Sequence, residues 1–228
     1  MLRLLLPLCL LAAPWAAAQN SREIRDLRKS AKKGAPAAQY KLGMAYADAY
    51  QVKRDYDKAA EWLQRAAEQD HVRAQEYLGK MYFTGAGVPK DRAEAAKWLS
   101  MSAELGNPEA QVVLGSMYNN GDGVPLSYDK AAYWYRMAAE QGFSQAQFNL
   151  GVMYNNGEGV PQSIAEAYKW IHLAALDENA ESVAEYVWAR DDIARSMEPE
   201  ALKDTRRRLG EWKPRSWEQL QDDEQKQH

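Results

Sequence analysis

Residues 110–125 read AQVVLGSMYNNGDGVP, and residues 146–161 read AQFNLGVMYNNGEGVP. The second stretch starts 36 positions after the first (146 − 110), and four features recur along the chain at this spacing. They are Ala-Gln pairs starting at Ala38, Ala74, Ala110 and Ala146, Leu-Gly pairs starting at Leu42, Leu78, Leu114 and Leu150, tyrosines at Tyr46, Tyr82, Tyr118 and Tyr154, and tryptophans at Trp62, Trp98, Trp134 and Trp170. Self-similarity at a period of about 20–50 residues is typical of repeat architectures. The chain therefore predicts four repeats, at residues 37–72, 73–108, 109–144 and 145–180.

Each repeat reads as two helices joined by a turn. Alanine, leucine and tyrosine stand four positions apart in the first half of the repeat, so they share one helical face. In the second half, Ala131, Trp134 and Ala138 have the same kind of spacing. Between the halves lies a Gly-x-Gly-Val-Pro turn, in which glycine permits positive φ and proline ends the first helix. The first repeat departs from this pattern, with Ala49 and Gln51 where the glycines are expected.

Glycines inside the first helices indicate close helix packing. Each costs about 1 kcal/mol relative to alanine in a helix interior, yet glycine recurs in phase at Gly43, Gly79, Gly115 and Gly151. This recurrence predicts that a neighbouring helix passes close to each glycine. The four tryptophans, each able to bury roughly 150–250 Å², are predicted to stack into a continuous core. The fold class is therefore an all-α solenoid.

Several residues carry the signals of helix starts. Asp91 with Glu94, and Ser163 with Glu166, match the capping-box pattern. Asn107 precedes a first-turn proline, which predicts another helix start.

The ends of the repeat array are predicted to be capped by further helices. Residues 19–36 contain a lone N-terminal capping helix, from about residue 21 to 33. Residues 181–212 contain two C-terminal capping helices, at residues 182–196 and from Pro199 to about Trp212. Residues 213–228 form a polar tail that we expect to be disordered.

The first 18 residues resemble an export signal. Arg3 supplies a positive charge, residues 4–13 form a short apolar run, and residues 16–18 are alanines suited to signal peptidase. An uncleaved anchor is the alternative, but the apolar run is far shorter than the ~20 residues that cross a bilayer. We expect cleavage after Ala18, a periplasmic or secreted protein, and no stable membrane anchor. The single cysteine, Cys9, lies in the removed segment, so the mature chain would have no disulfide.

No cofactor, metal ion or nucleic acid is expected. The net charge of −3 comes from interspersed charges of both signs, which offers no basic stripe for phosphate backbones. His71, His172 and His228 lack metal-ligand spacing. The Gly-x-Gly turns lack the lysine of a phosphate-binding loop, and Asp122 and Glu158 stand alone where a calcium loop would cluster carboxylates. The sequence therefore predicts that the protein is not an enzyme.

The combined pattern of Ala-x-x-x-Leu-Gly-x-x-Tyr, Gly-x-Gly-Val, Lys-Ala-x-x-Trp and Ala-Ala resembles the Sel1-like repeat, a relative of the tetratricopeptide repeat. This resemblance implies a right-handed α/α superhelix whose first helices line a concave, protein-binding groove. The exposed groove positions would be Tyr40, Met44, Glu76, Lys80, Phe83, Val112, Ser116, Asn119, Asn120, Phe148, Val152, Asn155 and Asn156. Two interpretations of the asparagine pairs stay open, because asparagine can clamp a peptide backbone or serve the turn after a helix.

Three functions follow from the resemblance. The first is a periplasmic scaffold or adaptor that binds a protein partner in the groove. The alternative is an immunity protein that neutralises a toxin, such as a lipase, delivered into the periplasm by a type VI secretion system. A cell-wall or β-lactam enzyme is a distant third, because the mature chain lacks the cysteines of the relatives linked to that chemistry. Binding of peptidoglycan or polysaccharide through exposed tyrosines is a further option.

Overall fold

The structure is a computed structural model that describes the backbone of residues 14–226 and the side chains of residues 22–223, 225 and 226. Residues 1–13, which hold most of the predicted signal peptide, and His228 lie outside this part. The described chain forms twelve helices and no strand. Their bounds are α1 Pro14–Lys32, α2 Pro36–Ala47, α3 Tyr56–Ala67, α4 Val72–Thr84, α5 Arg92–Glu104, α6 Pro108–Asn120, α7 Tyr128–Glu140, α8 Ser144–Asn156, α9 Ile164–Ala174, α10 Val183–Ser196, α11 Pro199–Leu209 and α12 Trp217–Gln225.

The chain divides into two compact units, Met1–His71 and Val72–His228. In the first unit, α1 packs on α2, and α2 pairs with α3. In the second unit, α4 pairs with α5, α6 with α7 and α8 with α9, while α10 and α11 both pack on α9. The predicted all-α fold of consecutive helix-turn-helix pairs is confirmed.

Each mid-helix glycine lies against the second helix of its own repeat. A Cβ atom added to Gly79 would stand 2.7 Å from Leu99 Cγ and 3.2 Å from the Ala95 carbonyl oxygen. An added Cβ at Gly115 would stand 2.9 Å from the Tyr135 ring. These separations are shorter than ordinary van der Waals contacts, so only glycine permits the observed helix spacing. The close approach predicted from the recurring glycines is confirmed.

The tryptophans are less central to the core than predicted. Trp98 and Trp170 are buried, but Trp62 and Trp134 are only half-buried. The most central large side chains stand one position later, at Leu63, Leu99, Tyr135 and Ile171, which are 0%, 0%, 5% and 1% exposed. Because these residues face the glycine of the first helix, they fill the space that the missing Cβ leaves. Alanines that are fully buried before and after them complete the interface.

The predicted capping boxes form only in half. The Asp91 carboxylate accepts hydrogen bonds from the backbone N–H groups of Ala93 and Glu94, and Ser163 Oγ accepts one from Glu166. The reciprocal bond does not form, because the backbone N–H of Asp91 donates to the Tyr82 carbonyl. The same bond joins Asp55 to Tyr46, Ser127 to Tyr118 and Ser163 to Tyr154. It fastens the second helix of each repeat to the end of the first.

The first repeat keeps the turn geometry of the others without their glycines. Ala49 and Gln51 both have a φ of 59°, in the left-handed region. Non-glycine residues adopt this region at a cost of roughly 1–2 kcal/mol each. The tertiary structure therefore imposes the turn on a sequence that does not favour it.

The C-terminal tail, which we expect to be disordered, contains a helix within its described residues 213–226. Residues 217–225 form α12, and Leu220 within it is only 3% exposed. Ser216 and Gln219 form a reciprocal capping box at its start, with bonds of 2.8 and 3.3 Å. The backbone N–H of Arg215 also donates to the Glu140 carbonyl at the end of α7. The pattern Ser216-x-x-Gln219 matches the capping box, so it indicates a helix start within an otherwise polar stretch.

Candidate protein-binding face

The predicted groove residues lie on the first helices of the repeats, α2, α4, α6 and α8. We call this set, with the additions below, the first-helix face. Asn120 and Asn156 are exposed and Glu76 is buried. The remaining ten residues are half-buried, so they combine packing with solvent contact.

In the first unit, Tyr40 and Met44 line a cavity of about 410 Å³ between α1, α2 and the turn that follows α2. Ile24 and Leu27 of α1 form its apolar wall. Tyr50, 59% exposed, stands at the edge. The charged groups that surround the cavity come from Glu23, Lys41 and Asp48. A cavity with an apolar wall and a few charged groups at its edge suits an apolar side chain of a partner.

Glu76 is not an exposed groove residue, and that prediction is wrong. Its side chain is buried and pairs with the Lys80 ammonium. Asn107 Nδ2 donates a hydrogen bond of 3.3 Å to its second carboxylate oxygen. A buried carboxylate needs such partners because desolvation of an unpaired charge is costly. Glu76 therefore stabilises the junction between α4 and α6.

Tyr40 and Phe148 occupy the position of Glu76 in other repeats, and they also pack against the residues that follow their own repeat. Tyr40 stacks on His71, with ring centroids 4.6 Å apart. Phe148 packs against Tyr186 of α10, also with centroids 4.6 Å apart. Sequence reasoning placed these side chains on the groove because the helical period identifies a face but not what covers it. Tyr40 and Phe148 therefore support the first-helix face by packing on neighbouring rings, and only part of each side chain is accessible to a partner.

Ser116 also has a structural partner. The Ser116 hydroxyl forms a hydrogen bond with the Tyr135 phenol, and the Asn149 side chain forms another. Burial raises the pKa of Tyr135, and these hydrogen bonds partly oppose the rise. Tyr135 therefore stays a neutral phenol that joins α7 to α6 and α8.

The asparagine pairs end α6 and α8. Asn119 Nδ2 donates to Asn120 Oδ1 at 3.2 Å, and Asn155 makes the equivalent bond to Asn156. The left-handed residue after each helix is a glycine, not an asparagine. The asparagines therefore do not supply the left-handed conformation of the turn, which leaves their amides as polar groups at the end of the first-helix face.

Trp188 belongs to the first-helix face and was missed. It stands 36 positions after Val152, and its helix α10 packs on α9 as α8 packs on α7. Its side chain is 65% exposed. Extending the 36-residue period beyond Ala175, where the repeat pattern is weak, would have identified Trp188. An exposed tryptophan in this position is a candidate anchor for a partner, because tryptophan is enriched at interface hot spots.

The recurring glutamines form a buried hydrogen-bond series that was also missed. Gln39, Gln111 and Gln147 are almost fully buried. Gln111 Nε2 donates to the Ala103 carbonyl and Gln147 Nε2 to the Ala139 carbonyl, each at 3.1 Å. Gln141 Nε2 in turn donates to Gln111 Oε1 at 2.9 Å. The bonds to Ala103 and Ala139 join the first helix of one repeat to the last turn of the preceding second helix.

The described residues contain no group of three or more His, Cys, Asp or Glu residues that could hold a metal ion. None of their helices is long and apolar enough to cross a membrane. The acidic pair Asp191 and Asp192 is engaged in ion pairs with Arg190 and Arg195.

Successive helix pairs with glycine-mediated crossings and a variable first-helix face define a repeat scaffold of the kind that mediates protein–protein interaction. The Sel1 repeat matches this chain four times, at residues 36–71, 72–107, 108–143 and 144–179. The chain therefore belongs to the Sel1 repeat family, whose members are typically non-enzymatic interaction scaffolds.

Solved structures with the same fold support this assignment. A protective antigen of uropathogenic Escherichia coli strains, with an SLR fold, has 35% identity and a TM-score of 0.69 over 75% of this chain and 35% of its own. A Sel1 repeat protein from Oxalobacter formigenes has 34% identity and a TM-score of 0.66 over 74% of this chain and 49% of its own. This chain thus spans at most about half the length of either relative.

One weaker likeness concerns an immunity protein of Pseudomonas aeruginosa, with 18% identity and a TM-score of 0.44 over 84% of this chain and 81% of its own. A likeness of this size carries no argument about function. No curated protein matches the chain.

Proposed function

We propose that this protein is a periplasmic adaptor that binds a protein partner through its first-helix face. The observation that carries the proposal is the contrast between two kinds of repeat position. The packing positions of the first helices keep alanine, leucine and glycine in all four repeats. The face position occupied by Met44 instead changes to Lys80, Ser116 and Val152, and Trp188 stands one period further on. A scaffold that conserves its packing and varies its surface presents a specific pattern of side chains to a partner.

Two apolar areas are the proposed anchors. In the first unit, the cavity beside Tyr40 and Met44 accepts an apolar side chain. In the second unit, Trp188 is exposed, Val152 is half-buried, and Asn155 and Asn156 follow Val152 by one turn of α8. Tryptophan is enriched at interface hot spots, where a few buried side chains supply most of the binding energy.

Site-specific photo-crosslinking tests the proposed face. A photo-reactive amino acid is introduced at Val152, Asn155 or Trp188 in the native host, and at Glu61 and Lys97 of the second helices as matched exposed controls. We expect the three face positions to crosslink one common protein that the controls do not capture. Equal capture at face and control positions, or none at the face, would refute the proposal.

The compartment is tested separately. Amino-terminal sequencing of the protein from a periplasmic extract should read Gln19 first, because cleavage is proposed after Ala18. A protein retained in the cytoplasm with its first residues intact contradicts the periplasmic part of the proposal alone. A toxin as the crosslinked partner would identify the adaptor as an immunity protein.

A catalytic role is the alternative that the crosslinking cannot address. We propose that the protein does not hydrolyse β-lactams, and a chromogenic β-lactam incubated with the purified protein provides the measurement. Turnover that is proportional to protein concentration would overturn this part of the proposal.

A further inference from the structure

The C-terminal segment, residues 213–226, lies on the second helix of the third repeat. Its Arg215 side chain pairs with Glu140 of α7 at 3.3 Å and with its own Asp223 at 2.7 Å. The backbone N–H of Arg215 donates to the Glu140 carbonyl at 2.8 Å. Glu140 has only 16% of its side chain exposed, so this ion pair is partly shielded from water.

The segment also fits closely onto two turns between repeats. The Trp217 ring lies where a Cβ atom on Gly106 would be, so any other residue at Gly106 would exclude it. Pro214 lies 3.1 Å from the position of a Cβ atom on Gly142. Three side chains of one short stretch thus lie against three sites on the repeats, as the side chains of a bound peptide would. These sites are the turn at Gly142, the end of α7 and the turn at Gly106.

The segment does not fill the surface that it covers. A cavity of about 430 Å³ remains between it and the outward side of α7, lined among others by Tyr133, Met137, Val160 and Leu220. Of the described side chains of α12, only Leu220 is buried. Tyr133 stays 40% exposed beside it. The surface therefore has room for a larger apolar contact than the segment makes.

We propose that the outward side of α7, with the turns at Gly106 and Gly142, is a second protein-binding surface of this chain, occupied here by its own C-terminal segment. The partner is a protein segment of the pattern Pro-Arg-x-Trp-x-x-Leu, which is the pattern of residues 214–220. It binds by displacing the C-terminal segment. This surface is separate from the first-helix face, so the inference stands without the proposed function.

Two physical features make the C-terminal segment displaceable. A nine-residue helix is too short to be stable on its own, since isolated helices below ~12–15 residues are marginal in water. The segment stays bound because its tether gives it a high local concentration, which is an advantage that a competing segment overcomes with better contacts. Any change that weakens the tethered segment then raises the apparent affinity for a competitor.

Binding of a synthetic peptide to the purified full-length protein tests the proposal. The probe is a fluorescent peptide of residues 211–226, and its affinity is measured for the wild type, Trp217→Ala and Trp217→Ala/Glu140→Arg. We expect the Trp217→Ala protein to bind it at least ~10-fold more tightly than the wild type does, because the tethered competitor is weakened. Trp188→Ala, which removes an exposed tryptophan elsewhere, should bind like the wild type.

A charge exchange identifies the surface. The peptide with Arg215→Glu should bind the Trp217→Ala protein ~10-fold more weakly than the unaltered peptide, and should regain affinity for the Glu140→Arg double variant. A peptide pool that keeps proline, arginine, tryptophan and leucine at the same spacing and varies the other positions should compete with the probe. A scrambled peptide should not compete.

Three results would overturn the proposal. These are equal affinity of the wild type and Trp217→Ala for the probe, failure of the charge exchange to restore binding, and failure of the peptide pool to compete. The last result would mean that the surface recognises this chain's own segment and no other. If Trp217→Ala does not keep the wild-type circular dichroism spectrum, Leu220→Ala replaces it as the variant with a weakened segment.

Discussion

At the scale of single residues, the two glycines of the turn Gly121-Asp122-Gly123 have different roles. Gly121 and Gly123 both adopt positive φ, at 70° and 78°. A Cβ atom on Gly121 would meet nothing closer than Leu126 Cβ, at 3.4 Å. On Gly123 it would overlap the backbone carbonyl of Arg92 in the preceding repeat. The second glycine therefore permits contact between repeats, whereas the first only permits the turn.

Alanine substitutions separate these duties. We expect Gly121→Ala to lower the free energy of unfolding by about 1 kcal/mol, from left-handed strain partly offset by a less flexible unfolded chain. Gly123→Ala should lower it by about 2–4 kcal/mol, because the backbone clash adds an overpacking penalty. Urea denaturation followed by circular dichroism measures both. Equal losses would show that the approach of the Arg92 carbonyl does not matter.

At the scale of helices, the crossing inside each repeat depends on the absence of a side chain. Gly79 lies inside α4, where alanine would favour the helix by about 1 kcal/mol. Leu99 Cγ is a branch point that cannot swing away as a flexible chain end could, and it lies 2.7 Å from the added Cβ position. The steric penalty should exceed the gain in helix propensity.

A matched pair of glycine substitutions tests this balance. We expect Gly79→Ala to destabilise the protein by about 1–3 kcal/mol, the range for overpacked cores. Gly210→Ala is the control, because Gly210 has helical φ and the nearest atom to an added Cβ is 3.5 Å away. It should be neutral or stabilising by up to about 1 kcal/mol. Stabilisation by both changes would mean that the helix crossing tolerates a side chain.

The C-terminal helices include a histidine that links their stability to pH. His172 of α9 stacks on Tyr168, with ring centroids 5.5 Å apart, and Arg190 of α10 and Arg206 of α11 lie near it. Burial, and then the two guanidinium groups, lower the pKa of His172 below its ordinary value of 6.5. The folded state therefore favours the neutral imidazole.

The sign of the pH effect follows from that direction. Because the unfolded chain binds the proton more readily, the contribution of His172 is fully present above pH 6.5 and falls as the pH drops below this value. We expect the melting temperature to decrease from pH 7.5 to pH 5.5, and to decrease less in His172→Gln. Identical pH profiles for the two proteins would contradict the assignment.

At the scale of the whole molecule, stability is distributed over local junctions. Buried glutamines, tyrosine carbonyls and glycine crossings each join elements that are close in sequence, as in the bonds from Gln111 to Ala103 and from Ser127 to Tyr118. In such a chain, stability is approximately a sum of repeat terms and nearest-neighbour terms. A core defect should therefore act mainly on its own surroundings.

Hydrogen exchange can detect this local response. Leu63→Ala removes a fully buried side chain of the first unit, and Ile171→Ala removes one of the second unit. Either change should cost about 2–5 kcal/mol locally. We expect Leu63→Ala to reduce protection chiefly in α2 and α3, and Ile171→Ala chiefly in α8 and α9. A uniform loss of protection in both variants would indicate a single cooperative unit instead.

The positions of the first-helix face follow from the helical period of the sequence, and the errors in their assignment have two causes. The helical period placed Val152 and Asn155 on one face of α8, since such a period is a local property of the chain. It also assigned Glu76 and Phe148 to open surface, because it cannot show that Asn107 and Tyr186 cover them. Trp188 was missed because the recurring letters fade after Ala175 while the spacing continues.

The amino-acid sequence alone determined the helix pairs, their 36-residue period and the close crossings at glycine. These features depend on short-range periodicity and on the steric limits of individual residues, which are written into consecutive positions. Only the tertiary structure decided that Ala49 and Gln51 adopt left-handed turns, that Leu63 rather than Trp62 is central to the core, and that the polar C-terminal segment packs on α7. Those outcomes depend on contacts between residues distant in the chain, whose combined free energy overrides local preference.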